Sequence, residues 1–407
     1  MSPRAARKRT TRDIRSASRF AVLRGLYTLG MPTRQELASL TGLSFATVAN
    51  IVNELLGIGM LVEAGREDSN GGRPRARLRI DQKRGLLVGV DVAETYVHAD
   101  VFDAALTRIS HHEHPIADPA DVLDEIVDIV TEAIERHRGK EVLGAGISMP
   151  GQVEPATGVS VFAPNWGWSD VPVQRLLQER LTVPIHVDNP LKATTVAELW
   201  FGHGRVVDNL VTINLGTGVG AGIAIDGQLI RGVTNNAGEW GHTTLIMDGR
   251  ACRCGRHGCV EAYTGVPGIR TTLAELAPDH PWLAETQAGF ILALAGGLSA
   301  GDPTAQAVLA RLAYDLGAAL ANVVNLINPQ RIVLTSWTAT YLGEWLLEPT
   351  RIRMTAEAIS GSAEVVDLVL SAAPEGPVAL GMATLVLESF LQHAGLPSPT
   401  NAPLGVG

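Results

Sequence analysis

Cysteine is scarce in this chain of 407 residues: only Cys252, Cys254 and Cys259 are present, crowded into one short stretch. An odd number so closely spaced excludes a disulfide framework and points to a metal site in a reducing cytoplasm. Charge is modest, at 18% Asp, Glu, Lys and Arg against 46% hydrophobic residues, which is the balance of a soluble globular protein. No uninterrupted apolar run approaches the roughly 18 residues of a membrane span, so no membrane partner is expected. No apolar segment follows the Arg-rich start, which argues against secretion and for a cytoplasmic protein. The length exceeds that of one ordinary core and implies two or three domains. An excess of positive charge is missing everywhere beyond residue 84. Residues 1–84 hold 16 Lys/Arg against 7 Asp/Glu, and the remainder holds 17 against 35, for a net charge of −9. A basic module joined to an acidic body points to nucleic acid at one end and to something else at the other.

The basic module carries "MPTRQELASLTGLSFATVANIVNELLGIGMLVEAG". Thr33 is placed to cap a helix bearing Leu37, Ala38 and Leu40, which Gly42 ends. Ser44 is placed to cap a second helix whose Val48, Ile51, Val52, Leu55 and Leu56 form one face. An earlier helix over about Ile14 to Leu29 supplies Phe20, Leu23 and Leu26. "MLVEAGREDSNGGRPRARLRI" reads as strand, Gly-rich turn and strand, a wing with Arg73 and Arg75 near its tip. This is the pattern of a winged helix-turn-helix that binds DNA. Its second helix enters the major groove and offers Ser44, Phe45, Ala46, Thr47 and Asn50 to base edges and phosphates, with Thr33 nearby. The arginines of the wing are expected on phosphates or in the minor groove. Because one such module reads a half-site, a palindromic operator and a homodimer or homotetramer are expected.

In the acidic body, "LLVGVDVAETYVHADVFD" reads as a hairpin followed by an amphipathic helix, "VLDEIVDIVTEAIERH". "NLVTINLGTGVGAGIAIDGQLI" repeats the theme, with Asn214 falling where Asp91 falls. Two such copies predict a duplicated α/β fold. The glycines of "GTGVG" either bring backbone N–H groups to a phosphate or simply close a tight turn. In "NNAGEWGHTTLIMDGRACRCGRHGCVEAY", Cys252 and Cys254 can grip one ion that Cys259 and His242 would complete. Three Cys and one His make a closed structural Zn²⁺ site, one per chain, with no open position for catalysis.

"AGEWGH" at 237–242 and "CRCGRHGCVE" at 252–261 are similar to the signature of the ROK family (repressors, open reading frames and sugar kinases), which the chain resembles over nearly its whole length. The resemblance implies a bilobal α/β body of the actin-like, ribonuclease-H-like ATPase fold behind the winged helix-turn-helix. It also implies sugar contacts at Glu239, His242 and Glu261, with His242 serving zinc as well. Asn165 in "APNWGW" and Asn189 match further sugar-contacting Asn positions, and Trp166 or Trp168 could cover an apolar sugar face. In the family an Asp follows that second Asn and is the general base of the kinases. Here Pro190 stands in its place and can take no proton. Asp91 is followed by Val92, Ala93 and Glu94 instead of glycines, and Ser336–Trp337 replaces a glycine pair on the adenosine side, so ATP is not expected to bind.

The reading is therefore a sugar-responsive repressor of carbohydrate genes with no catalytic residue. Pro190 opposes the alternative, a hexose kinase fused to a DNA-binding domain. The resemblance implies that Pro190 replaces the group that grips the hydroxyl on carbon six of a hexose, so a pentose such as xylose is expected to compete unusually well against glucose-type ligands, while the effector itself is not fixed by the sequence. The expected domains are 1–82 (DNA-binding, with its basic tail), 83–190 (first lobe), 191–395 (second lobe with the zinc site, its last helix returning to the first lobe) and a flexible tail, 396–407.

Overall fold

The computed structural model describes residues 11–67, 75–163, 166–374 and 376–393, with backbone alone for 11–17, 66, 67, 392 and 393. Arg73, Asn165 and the expected tail lie outside the described residues. The chain divides into two compact units, one holding the residues up to Trp200 together with the closing helix and the other Phe201–Pro374.

The first unit begins with helices α1 (Thr11–Leu29), α2 (Arg34–Thr41) and α3 (Phe45–Gly57) and the antiparallel strands β1 (Leu61–Glu67) and β2 (Arg75–Ile80). The expected caps form. The Thr33 hydroxyl accepts from the Glu36 N–H while the Glu36 carboxylate accepts from the Thr33 N–H, a reciprocal pair that satisfies two orphan donors at the start of α2. Gly42 ends α2 at φ 66°, and Ser44 caps α3 through the Thr47 N–H. Val22, Leu23 and Leu26 of α1 and Leu37 of α2 are buried, as are Val48, Ile51, Val52 and Leu55 of α3, which make a small core.

The same unit continues with β3 (Leu86–Val92), β4 (Tyr96–Asp103), β5 (Arg108–Pro115), α4 (Val122–Glu135) and β6 (Val142–Ser148). After them come the short strands β7 (Gln152–Glu154), β8 (Val159–Ala163) and β9 (Trp168–Val171), then α5 (Val173–Gln178), β10 (Ile185–Asp188) and α6 (Pro190–Phe201). The main sheet runs β10-β6-β3-β4-β5, parallel over its first three strands and antiparallel thereafter. Nine consecutive residues of α6, from Lys192 to Trp200, are buried. The expected lobe boundary at 190/191 therefore falls at the head of a helix that belongs to the first unit as far as Trp200. The closing helix, Pro377–His393, lies so close to the sheet that a Cβ on Gly89 would sit 1.9 Å from the Ala379 carbonyl oxygen.

The second unit carries β11 (Leu210–Leu215), β12 (Val219–Ile225), β13 (Gln228–Leu229), α7 (Glu261–Thr264), α8 (Val266–Leu276), α9 (Gln287–Ala300), α10 (Pro303–Ile327), β14 (Arg331–Thr335), α11 (Trp337–Glu357), α12 (Ser360–Ala363) and β15 (Asp367–Leu370). Its sheet order, β15-β14-β11-β12-β13, repeats the first sheet with the same parallel and antiparallel senses. Asp91 pairs with Ser148 at the end of β6, and Asn214 pairs with Thr335 at the end of β14. The two hairpins are thus equivalent, as the sequence pattern predicts. Helix α10 is long and apolar enough to cross a membrane, but two thirds of its apolar window is buried, and it serves as the core helix of this unit.

Steric contact at Gly89 sets a test of the first unit. Gly89→Ala should cost about 1–3 kcal/mol, because backbone must move to admit the methyl group. Gly296→Ala in α9 meets no atom within 4 Å and should instead stabilise by about 0.5–1 kcal/mol. Urea unfolding midpoints that move in these opposite senses are the expected outcome, and equal shifts would contradict it.

Candidate functional site

The second unit gathers the expected metal ligands. His242 ends a short 3₁₀ turn, Glu239–His242, and the cysteines follow on a tight hairpin. Gly258, at φ 73°, is required there, because any Cβ would meet the Ile246 carbonyl oxygen at 1.7 Å. One ligand atom from each of His242, Cys252, Cys254 and Cys259 lies within 4.8 Å of all the others. The Cys252 Sγ stands 3.7 Å from His242 Nδ1, and the Cys254 and Cys259 sulfurs are 3.7 Å apart. Bonds of about 2.3 Å from a tetrahedral ion to sulfur give edges of about 3.8 Å, so this cluster has the dimensions to hold a metal. Burial pushes the Cys252 thiol up to about 12. Burial also acts upward on Cys254, but hydrogen bonds from the backbone and side chain of Arg256 and from Cys252 and Cys259 bring it down to about 6. The cluster thus pushes its thiols in opposite directions, and a metal ion held by all three would take them as thiolates.

The three unit-two residues with an expected sugar role lie around this hairpin. Glu239 is exposed, His242 is half-buried and Glu261 is buried at the start of α7. The Glu261 carboxylate is held by a residue that the sequence reading missed. The Arg253 guanidinium donates from Nε to Oε1 at 2.9 Å and from Nη2 to Oε2 at 3.3 Å, and the Val219 N–H donates to Oε2 at 3.0 Å. This fork fixes a buried carboxylate in direction and leaves it able to accept from a hydroxyl. The only signal in the sequence was an arginine between two cysteines of the candidate metal cluster. Arg253 also covers the glycine loop, since a Cβ on Gly218 would lie 2.7 Å from its Nη2. The Trp337 indole nitrogen is 3.7 Å from the equivalent point on Gly216, and the Ser336 hydroxyl donates to the Leu215 carbonyl. The glycine at 218 therefore has a structural use here: it leaves room for the Arg253 guanidinium.

In the first unit, Asn189 precedes α6 and is already engaged. Its Nδ2 donates to the Gly151 carbonyl at 2.6 Å, and its Oδ1 accepts from the Leu191 N–H at 2.9 Å. Pro190 stands at the first helical position, where its fixed φ suits the helix and no N–H is lost. Burial raises the Asp91 carboxyl, which accepts from Ser148, while Glu94 is exposed in the turn after β3. Trp166 and Trp168 meet edge to face at 5.1 Å, partly buried against the core.

On the N-terminal module, Ser44, Phe45, Ala46 and Asn50 are exposed along one edge of α3, with Thr47 half-buried among them and its hydroxyl 2.9 Å from that of Ser44. Arg75 is exposed at the start of β2. Thr33 departs from expectation: it is 2% exposed and its hydroxyl is spent on the cap of α2, so it offers nothing to a partner.

Comparison with known proteins places these features in a family. The ROK family model matches residues 87–389. The xylose repressor of Caldicellulosiruptor bescii is 27% identical over 392 residues, covering 93% of this chain and 97% of its own length. The glucokinase of Halalkalibacterium halodurans is 33% identical over 284 residues, covering 67% of this chain and 86% of its own. A crystal structure of a ROK family transcriptional regulator, a homolog of the Escherichia coli Mlc protein, superposes with a TM-score of 0.78 at 24% identity, covering 94% of this chain and 99% of that one.

The cluster geometry predicts one thiophilic metal ion per chain by elemental analysis. Cys254→Ser should retain far less than one ion. It should also lower the thermal midpoint by about 5 °C or more, the shift that about 2 kcal/mol produces in a unit of this size. An unchanged metal content in the variant would refute the assignment.

Proposed function

Since the chain belongs to the ROK family, we propose that it is a sugar-responsive transcriptional repressor without kinase activity. The observation that carries this reading is Pro190 at the head of α6, where the family's kinases carry their general base. With it goes full-length similarity to a protein named xylose repressor, against similarity to a glucokinase over two thirds of the chain. A proline offers neither acceptor nor proton, and no change of pKa restores one. The Trp337 indole beside Gly216 takes up space on the nucleotide side, and the Arg253 guanidinium at Gly218 is already engaged by Glu261.

In this proposal α1 to α3 and the β1–β2 hairpin are a winged helix-turn-helix. Helix α3 presents Ser44, Phe45, Ala46, Thr47 and Asn50 to the major groove, and Arg73 and Arg75 hold phosphates. The operator is palindromic, the protein a homodimer or homotetramer in the cytoplasm, and residues 1–82 form the DNA-binding domain. Zn²⁺, bound by His242 and the three cysteines, is structural: it orders the hairpin that carries Arg253 and presents Glu239 and Glu261 to the sugar. Asn165 and Asn189 are the sugar-contacting amides of the first unit.

The effector is a pentose of the xylose type. A hexose would bring an exocyclic hydroxymethyl to a position where Pro190 supplies no acceptor, at a cost of about 1–3 kcal/mol if the group is buried. Calorimetric titration should find xylose binding more tightly than glucose, with no ADP release from ATP in the presence of either sugar. Tight glucose binding with undetectable xylose binding would overturn the pentose assignment, and steady ADP release would overturn the repressor reading in favour of the kinase. Pro190→Asp should still release no ADP.

For DNA, Arg75→Ala should weaken binding to all duplexes alike and reduce the slope of log affinity against log salt by about 1, the signature of one lost phosphate contact. An unchanged slope and affinity would remove Arg75 from the interface.

A further inference from the structure

Helix α6 joins two places within the first unit that a repressor must connect. Its N-terminus is built on Asn189, whose side chain holds Gly151 and caps Leu191, and whose carbonyl accepts from the Ala193 N–H. Its other end carries Trp200, which is 2% exposed. The Trp200 indole lies against two rings of α1, Phe20 at 5.6 Å and Tyr27 at 5.2 Å between centroids. Phe20 and Tyr27 are two helical turns apart and therefore share one face of α1. The Tyr27 hydroxyl donates to the Ala104 carbonyl at the end of β4 and so pins the same face to the sheet. The neighbouring face of α1 packs into the small N-terminal core, where Gly25 brings it close to Leu37 and Leu40 of α2. Arg19 of α1 forms an ion pair with Glu54 of α3. An unbroken line of contacts therefore runs from Asn189 through α6 and α1 to the helix that carries Ser44, Thr47 and Asn50.

The mechanics of α6 favour transmission over absorption. Twelve residues at about 1.5 Å each make a rod of about 18 Å. Buried side chains surround it, and a Cβ on Gly381 of the closing helix would stand 1.9 Å from the Ala193 carbonyl oxygen. A close-packed interior has no slack in which such a rod can bend, so a change of register at one end appears at the other. A sugar hydroxyl that takes a hydrogen bond from or to the Asn189 amide competes with the Gly151 and Leu191 contacts that set this register.

Building on the sugar-sensor reading above, we propose that α6 is the element through which sugar at Asn189 reaches the DNA-binding helices, with Trp200 as the positioning residue that hands its displacement to α1. The free energy of coupling is the difference in sugar affinity between the two positions of the rod.

The test uses the full-length chain and a DNA duplex that the wild-type protein selects from a random library, followed by fluorescence anisotropy, with xylose and glucose as ligands. In wild type, a saturating sugar should weaken duplex binding tenfold or more. Trp200→Leu should bind the same sugar within twofold of wild type by calorimetry, yet its duplex affinity should change less than twofold on adding sugar. Phe20→Leu, on the α1 side of the contact, should uncouple in the same way and provides the reading if Trp200→Leu fails to fold. Sugar-dependent release at wild-type strength in the folded variant would overturn the proposal. A second measurement needs no sugar: Asn189→Ala should alter duplex affinity, and its effect should vanish in a background of Trp200→Leu or Phe20→Leu. Strict additivity of the two changes would overturn the proposal as well. If neither sugar binds wild type while this cycle is non-additive, the pentose reading fails and the connection through α6 stands.

Discussion

The Asn189 side chain is committed in two directions at once, and much of the first unit depends on that. One amide group closes the N-terminus of α6 and holds the Gly151 carbonyl, at the junction where β10 gives way to a helix buried along most of its length. Pro190 completes the arrangement by supplying a helical φ at the one position where a missing N–H costs nothing. A residue that is useless for proton transfer is thus well suited to starting a helix. The residue that offers no group for proton transfer is the one that gives α6 a rigid helical start.

A comparable economy governs the second unit. The three cysteines of the His–Cys cluster sit on a hairpin so tight that Gly258 must approach the Ile246 carbonyl, and the same hairpin delivers Arg253 to Glu261. That ion pair gives a carboxylate that is 5% exposed a charged partner. It also lays a guanidinium over Gly218, in a loop whose glycines would otherwise be read as a phosphate cradle. The order of the hairpin that carries the His–Cys cluster also fixes where Arg253 and Glu261 meet.

Two expectations from the sequence needed correction, each for a local reason. Thr33 was expected near DNA, but its hydroxyl and the Glu36 carboxylate satisfy each other's backbone donors, which buries the threonine. The lobe boundary was expected at 190/191, at the change from strand to helix. Helix α6 instead stays with the first unit because buried contacts enclose it from Lys192 to Trp200. Arg253 escaped notice because a lone arginine carries no periodicity; only the folded hairpin brings it to a carboxylate eight positions away.

The sequence by itself determined what depends on local chemistry. Caps at Thr33 and Ser44, the turn at Gly42, the two strand–turn–strand repeats and the His–Cys cluster all follow from residue type and short spacing. Each is settled by the conformational preference or ligand character of residues near one another in the chain. Only the tertiary structure decided which long-range partners those residues meet. Trp200 reaches Phe20 and Tyr27 across some 180 positions of chain, and the closing helix returns to lie on Gly89. Such contacts depend on the packing of whole elements against one another, and hydrophobic burial is non-directional, so the sequence pattern says that these side chains are buried and leaves open against what.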